Sequence, residues 1–402
     1  KPQRLQLKSV SDAPDPFSPA GGSCTVSGDF EVKPTGTDVE TRQNEVTHLL
    51  RMTVSVKDAA GAIVRTLSAE TSVEAPDGEP SGHMVPVTLN APWDGKDEAG
   101  NLLPDGTYTY EVIGRYLLRH VNTNPSGKGP EKEVEQAVTP PLSGTIALDA
   151  TAPAITGLQP PDGTFTNDNQ PVVSAAFADA TSGVDPASAK LLVNGVNKTA
   201  EAAVTAAGIS WQPAAALEDG DYAVSISVKD LAGNEASAST SFVVDTVDPV
   251  VTGLSPENGS YTGDATPTLS GSWSDERSGI DVASAVIKLD GQDVTAQATV
   301  TVTGFSLVPG ALTEGAHTLT AQISDKAGNS GQAGTAFVVD LTPPTITDLT
   351  PPDGSTVADP RPTVSANFAD ALSGVDAATA QLLVNGEDRT AEASVTAAGI
   401  SW

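Results

Sequence analysis

Three hydrophobic runs of this chain end on an aspartate and are followed within a few residues by proline: "IALDATAP" at 146–153, "FVVDTVDP" at 242–249 and "FVVDLTPP" at 337–344. Their aspartates, Asp149, Asp245 and Asp340, stand 96 and 95 residues apart. Other carboxylates keep the same step. "SGVD" (182–185), "SGID" (278–281) and "SGVD" (373–376) supply Asp185, Asp281 and Asp376, with Asp179, Asp275 and Asp370 just ahead of them. "DLAGN" (230–234) and "DKAGN" (325–329) add Asp230 and Asp325, and Asp248 lies in the second proline-bearing link. Oxygen ligands of this kind suit a hard cation. Ca²⁺ accepts about six to eight oxygens in irregular geometry, whereas Mg²⁺ demands a stricter octahedron. Several like charges within a few ångströms cost several kcal/mol at an effective dielectric near ~20, so a true cluster calls for a cation. Taken singly, each Asp is an ordinary turn former, and the spacing does not match an EF-hand. Convergence in space is what would distinguish a ligand set from a row of turns.

The elements that must bring these residues together are short strands. Gly (37) and Pro (30) recur throughout, aromatic residues make up 4%, and β-branched and small residues dominate, which predicts strands separated by tight turns. Within one unit "PVVSAAF" (171–177), "AKLLV" (189–193), "YAVSISV" (222–228) and "STSFVV" (239–244) read as strands. Asn194-Gly195 and Asn385-Gly386 are two-residue hairpin signals. The turn pairs Asp162-Gly163, Asn258-Gly259 and Asp353-Gly354 repeat with the aspartates. Self-similarity at one fixed step means repeated domains. "LLVNGVNKTAEAAVTAAGISW" (191–211) and "LLVNGEDRTAEASVTAAGISW" (382–402) differ at four positions in 21, and the third unit stops at Trp402, where the first continues through two more strand-like segments. A longer natural protein is therefore expected, all the more because the chain opens on Lys1 without an apolar leader.

About seven strands in about 95 residues, with no helical period, is the pattern of a Greek-key sandwich. The ordered set "SGVD", "VNG", "D.AGN" and "VVDT..P" over 149–402 resembles the bacterial Ig-like repeats of large surface proteins and adhesins. Residues 1–148 fall outside the period. Their "DPFSP" (15–19), "VKDAAGAIVRTL" (56–67) and "WDGKDEAGNLLPDGTYTYEV" (93–112) resemble the Ig-like domain of flagellar hook-capping proteins, with Trp93 buried by its turn and a polar inserted loop over 121–138. The expected fold is all-β: tandem Ig-like Greek-key β-sandwiches at 1–148, 149–244, 245–339 and 340–402, arranged end to end as a rod. At about 3.3 Å per strand residue each domain spans roughly 30–40 Å and four in line exceed roughly 100 Å.

In such a sandwich the loop between the second and third strands and the loop between the last two return to the pole where the first strand begins. This predicts three groups of metal ligands. The first holds Asp149, Asp179, Asp185 and Asp230, the second Asp245, Asp248, Asp275, Asp281 and Asp325, and the third Asp340, Asp370 and Asp376. Each junction is expected to bind Ca²⁺ and so to stiffen the proline-bearing link.

Formal net charge −30 repels phosphate backbones and anionic headgroups, which argues against nucleic acid, and no apolar run of about 18 residues is present to enter a membrane. Cys24 is the single cysteine, so no intrachain disulfide forms. His48, His83, His120 and His317 are scattered, and no phosphate loop, GxSxG elbow or HExxH helix accompanies them. The sequence thus reads as non-catalytic: a structural segment of a secreted or cell-surface bacterial protein, an adhesin stalk, appendage or fibre. Its partners would be other protein domains or copies of the same chain. The alternatives are a spacer in a secreted enzyme or YD-repeat toxin, and a module that binds a host or surface glycan.

Overall fold

The computed structural model describes residues 4–34, 44–74, 83–122 and 132–402. It contains no α-helix among them, only strands and single 3₁₀ turns. Two compact units divide the chain. One comprises Lys1–Thr164, Gln170–Ala215 and Tyr222–Phe242, and the other Phe165–Asn169, Ala216–Asp221 and Val243–Trp402.

The N-terminal sandwich is built from β1 (Leu5–Ala13), β2 (Cys24–Val32), β3 (Asn44–Lys57), β4 (Ile63–Ser72), β5 (Val85–Trp93), β6 (Gly106–Asn122), β7 (Lys132–Val138) and β8 (Leu142–Leu148). One sheet runs β1-β2-β5; the other runs β4-β3-β6-β7, with β8 also paired to β6. Alternation places Val26, Phe30, Met52, Val54, Tyr110 and Val112 between the sheets, and Trp93 packs edge-on to Tyr108 at 5.3 Å. Cys24 is buried in this core, and burial with the nearby charges of Asp12 and Asp15 pushes its thiol up to about 12, so it is an inert core residue. The polar stretch 121–138 is not wholly a loop. Residues 123–131 lie outside the described set, but Lys132–Val138 is a strand on β6, where Glu133 pairs with Arg51 and Arg119 at 2.9 and 2.8 Å. Its charges face outward and its backbone completes the ladder, which is why composition alone suggested a loop.

The first repeat comprises β9 (Ala154–Gln159), β10 (Thr164–Thr166), β11 (Val173–Ala178), β12 (Val184–Val193), β13 (Val196–Asn197), β14 (Ala203–Thr205), β15 (Gly208–Trp211), β16 (Gly220–Asp230) and β17 (Glu235–Val244). Its sheets are β14-β15-β11-β9 and β10-β17-β16-β12-β13. The second repeat matches it strand for strand: β18 (Val250–Ser255), β19 (Tyr261–Thr262), β20 (Leu269–Ser274), β21 (Ile280–Leu289), β22 (Gln292–Asp293), β23 (Thr299–Thr301), β24 (Gly304–Leu307), β25 (Gly315–Asp325) and β26 (Ser330–Val339). The cores fill the same space differently. The first uses Phe177, Ile209 and Trp211 where the second uses Trp273, Phe305 and Leu307. The Asn194-Gly195 turn has φ 48° and 77°, the double positive φ its two-residue hairpin requires.

The third repeat has β27 (Thr345–Thr350), β28 (Ser365–Ala369), β29 (Leu383–Val384), β30 (Glu387–Asp388), β31 (Ser394–Thr396) and β32 (Gly399–Ser401). Its first sheet, β27-β28-β32-β31, is formed, whereas the second is reduced to β29-β30. In the first repeat β12 pairs with β16 at both its ends, around an irregularity between Asp185 and Lys190. Among the described residues the corresponding stretch of the third repeat has no such partner, and Ala377–Thr379 closes as a 3₁₀ turn capped by Asp376.

Candidate metal centre at the sandwich poles

Two groups of three carboxylates converge. Asp149, Asp179 and Asp230 each offer one oxygen within 4.8 Å of the others, and so do Asp245, Asp275 and Asp325. Each triad is assembled by topology. A linker aspartate ends the preceding strand, an aspartate follows β11 or β20, and a third ends β16 or β25. Asp149 and Asp245 are 0% exposed, and Asp230 and Asp325 are 2% exposed, so these are buried acids rather than surface turn residues.

Backbone N–H groups hold them in place. Asp149 Oδ1 accepts from Thr151 N at 3.1 Å and its Oδ2 from Ser182 N at 3.0 Å. Asp179 Oδ1 accepts from Thr181 N at 3.2 Å and Gly183 N at 2.6 Å, and Gly183 has φ 85°, the left-handed conformation that lets the loop turn back. Asp230 Oδ1 accepts from Asn234 N at 2.8 Å. The second pole repeats this: Ser278 N donates to Asp245 Oδ2 at 2.8 Å, Gly279 N to Asp275 Oδ1 at 2.6 Å, and Asn329 N to Asp325 Oδ1 at 2.9 Å. The "SG" of the repeated motif is thereby explained. Its serine amide holds the linker carboxylate and its glycine amide holds the loop carboxylate.

The asparagine closing each "D.AGN" run is a member of the site that the sequence motifs alone did not single out. Asn234 Nδ2 donates to Asp230 Oδ2 at 2.6 Å and to the Asp149 carbonyl at 3.0 Å; Asn329 Nδ2 does the same to Asp325 Oδ2 at 2.7 Å and the Asp245 carbonyl at 2.8 Å. It thus ties the last hairpin to the linker backbone. Recurrence of Asn at 234 and 329 was the available signal.

Six predicted ligands stand outside the triads. Asp185 and Asp281 cap the turns that follow them, their Oδ1 atoms accepting from Ala187 N at 3.0 Å and Ala283 N at 3.1 Å. Asp376 caps Ala378 N at 3.0 Å. Asp248 is exposed and lines a cleft of about 400 Å³ shared with Asp219, Asp245, Asp275, Glu276 and Arg277. At the third pole Asp340 Oδ2 accepts from Ser373 N at 2.9 Å and Asp370 Oδ1 from Gly374 N at 2.8 Å, and among the described residues no third acid joins them.

Electrostatics follows the bonding. Burial, the largest single influence on Asp245, pushes its carboxyl up, but the hydrogen bonds from Ser278 and Val247 and the charge of Arg277 outweigh it and hold the group below the usual carboxylate range. Asp340 is likewise held low, chiefly by Ser373.

From the preceding sandwich an acid-glycine pair reaches each linker. Asp105 accepts from Ala150 N at 2.8 Å and from the Thr151 hydroxyl. Asp219 accepts from Thr246 N at 3.1 Å and Thr246 Oγ1 at 3.0 Å, and Glu314 from Thr342 Oγ1 at 3.0 Å. Every link is therefore held from both sides.

The donor set fits a hard cation. It is all oxygen, it gathers three carboxylates in each triad, and no hydrogen bond occupies Oδ2 of Asp179 or Asp275 among the described residues.

Residues 142–246 and 252–341 match the family model described as "Bacterial Ig-like domain". No curated protein matches the chain. Similar solved structures include a tetra-tandem repeat from the extending region of a large adhesion protein, at 20% identity and TM-score 0.30, covering 90% of this chain and 81% of that one. Titin domains A168–A170 align at 11% identity and TM-score 0.34, covering 83% and 98%. A structure from a 1.5-MDa bacterial ice-binding adhesin aligns at 16% identity and TM-score 0.29, covering 85% and 99%. The chain is a tandem of Ig-like β-sandwiches, and the two whose poles carry a triad of carboxylates are the two that match the bacterial Ig-like domain.

Proposed function

We propose that this chain is a non-catalytic structural segment of a large secreted or cell-surface bacterial protein, an adhesin stalk or appendage. Its sandwiches act end to end, and Ca²⁺ held at their poles stiffens the links. The observation that carries the reading is the same triad, two buried acids and one half-buried, built twice, once beside each of two linkers. Asp149, Asp179 and Asp230 would hold one ion, and Asp245, Asp275 and Asp325 the other. Bound there, Ca²⁺ would neutralise the acids and lock the linker to both loops of its pole. The N-terminal sandwich fits the same reading as a hook-cap-type Ig-like module. No helix of the described residues is long and apolar enough to cross a membrane, and partners would be neighbouring domains or further copies of the chain.

A second reading rests on the hydrogen bonds. Each triad is already held by backbone amides and by Asn234 or Asn329, so the links could be stiffened by these bonds and proline alone. Calorimetric titration of the full chain with Ca²⁺, paired with small-angle scattering in Ca²⁺ and in chelator, separates the two. Two saturable sites with Kd of roughly 10⁻⁴–10⁻³ M or tighter, together with a stiffer particle, support the calcium reading. No heat and superimposable profiles overturn it and leave a cation-free spacer.

A further inference from the structure

At the start of β25 a histidine stands where both counterpart strands, β6 and β16, carry tyrosine. In the N-terminal sandwich Tyr108 stands at this corner, its hydroxyl donating to the Pro104 carbonyl four residues back at 2.7 Å, which is the tyrosine-corner arrangement of Ig-like sandwiches. The first repeat has Tyr222, stacked on Phe242 at 5.2 Å. The second repeat has His317. The residue is 6% exposed and its imidazole lies against Phe337 at 5.7 Å. Nε2 is 2.8 Å from the Thr313 carbonyl, again four residues back, and Nδ1 is 2.7 Å from Asp290 Oδ2. The partner has changed with it: the hairpin position held by Asn194 in the first repeat and Asn385 in the third is Asp290 here.

Neither partner of this ring can donate. A carbonyl oxygen has no proton and an ionised carboxylate only accepts, so both ring nitrogens must carry hydrogen at once, as only imidazolium does. Asp290, presented by the turn between β21 and β22, is the charged group that acts on the ring. From β26 the ring meets Phe337, and Glu314, ahead of β25, is engaged by Thr342. Asp290 is itself fixed by Thr318 N at 2.8 Å.

We propose that His317 is a protonation-dependent lock of the second repeat: its imidazolium ties the corner of β25 to the β21–β22 turn through Thr313 and Asp290, and loss of its proton loosens that corner while the Tyr222 corner of the first repeat stays closed. Burial pushes the imidazole down, but the Thr313 carbonyl and Asp290 outweigh it and raise it above its ordinary 6.5. A raised histidine contributes stability that is fully present below about pH 6.5 and lost as pH rises through its folded value. Burial pushes Asp290 up, yet His317 and Thr318 hold it below 3.8, so its part is lost only in acid. The lock therefore acts from mildly acidic to neutral pH.

The test is long-range ¹H–¹⁵N spectroscopy of the imidazoles in the full chain, with His317 assigned by its loss in His317→Tyr. A doubly protonated His317 at about pH 7, where an unperturbed imidazole is mostly neutral, is expected. Amide exchange of Leu319, Ala321 and Ile323, divided by that of Val224, Ile226 and Val228 and corrected for intrinsic rates, should rise about tenfold or more between about pH 6 and pH 9. The double variant His317→Tyr/Asp290→Asn installs the pair that the first repeat already carries, so it should fold and abolish this rise. A neutral imidazole at about pH 7, a flat exchange ratio, or a double variant that keeps the pH dependence would each overturn the lock.

Discussion

The second and third poles begin from the same linker chemistry and end in different places. Ser278 N reaches Asp245 Oδ2 at 2.8 Å and Ser373 N reaches Asp340 Oδ2 at 2.9 Å, so the bond between linker and loop forms in both. Yet Asp245 is wholly buried, while Asp340 is only half-buried. What differs is the hairpin of β25 and β26, which carries Asp325 and Asn329 over the second pole. The local motif closes a turn; the long-range hairpin makes a buried acid cluster out of it.

The sharpest way to break this contrast is to remove the hairpin's acid. Asp325→Ala leaves the buried Asn329 amide without its acceptor and takes one of two acceptors from Gly328 N and Asn329 Nδ2, and should cost the second repeat about 2–4 kcal/mol. Asp370→Ala at the half-buried third pole should cost under about 1 kcal/mol, because water can satisfy Leu372 N and Gly374 N. Local amide exchange in the full chain reads both, and equal losses would mean that the hairpin adds nothing. Next in size is Asn329→Ala. It deprives the Asp245 carbonyl and Asp325 Oδ2 of one donor, about 1–2 kcal/mol, and Asn234→Ala should match it at the first pole.

Much of this plan was legible beforehand. The 95-residue step, the β-branched runs and the Asn-Gly turns pointed to sandwiches, and their return loops to the poles, because strand period and turn chemistry are local properties. What was not legible depends on where backbone amides point. Asp179 and Asp185 are both aspartates near one turn, but only Asp179 faces Asp149, since Gly183 swings the loop between them. The roles of Asn234 and of the acids Asp105, Asp219 and Glu314 arise from partners between about 27 and 85 positions away in sequence, which no short motif records. Strand β7 was missed because a short edge strand rich in exposed charged and polar residues has the composition of a loop.

A pH titration sharpens the comparison further. Asp245 is held below its ordinary 3.8, so it contributes stability that is present above that value and lost as pH falls through its folded one. Asp245→Asn should therefore flatten the acid limb of unfolding for the second repeat, followed by the fluorescence of Trp273, which is buried in that repeat's core. If the acid limb is unchanged, the carboxylate charge is not what Ser278 and Arg277 stabilise.

The smallest effect concerns the clamps from the preceding sandwiches, and it distinguishes the links by which atom is held. Asp219 takes both the amide and the hydroxyl of Thr246, whereas Glu314 takes only the hydroxyl of Thr342, whose amide already donates to Asp340 Oδ1 at 3.2 Å. Asp219→Ala should thus speed exchange of the Thr246 amide by about fivefold, the equivalent of one exposed hydrogen bond of about 1 kcal/mol. Glu314→Ala should leave the Thr342 amide unchanged. If both amides respond alike, the linker aspartate is not holding its own turn, and the bond common to all three links would then depend on the preceding sandwich rather than on the linker sequence itself.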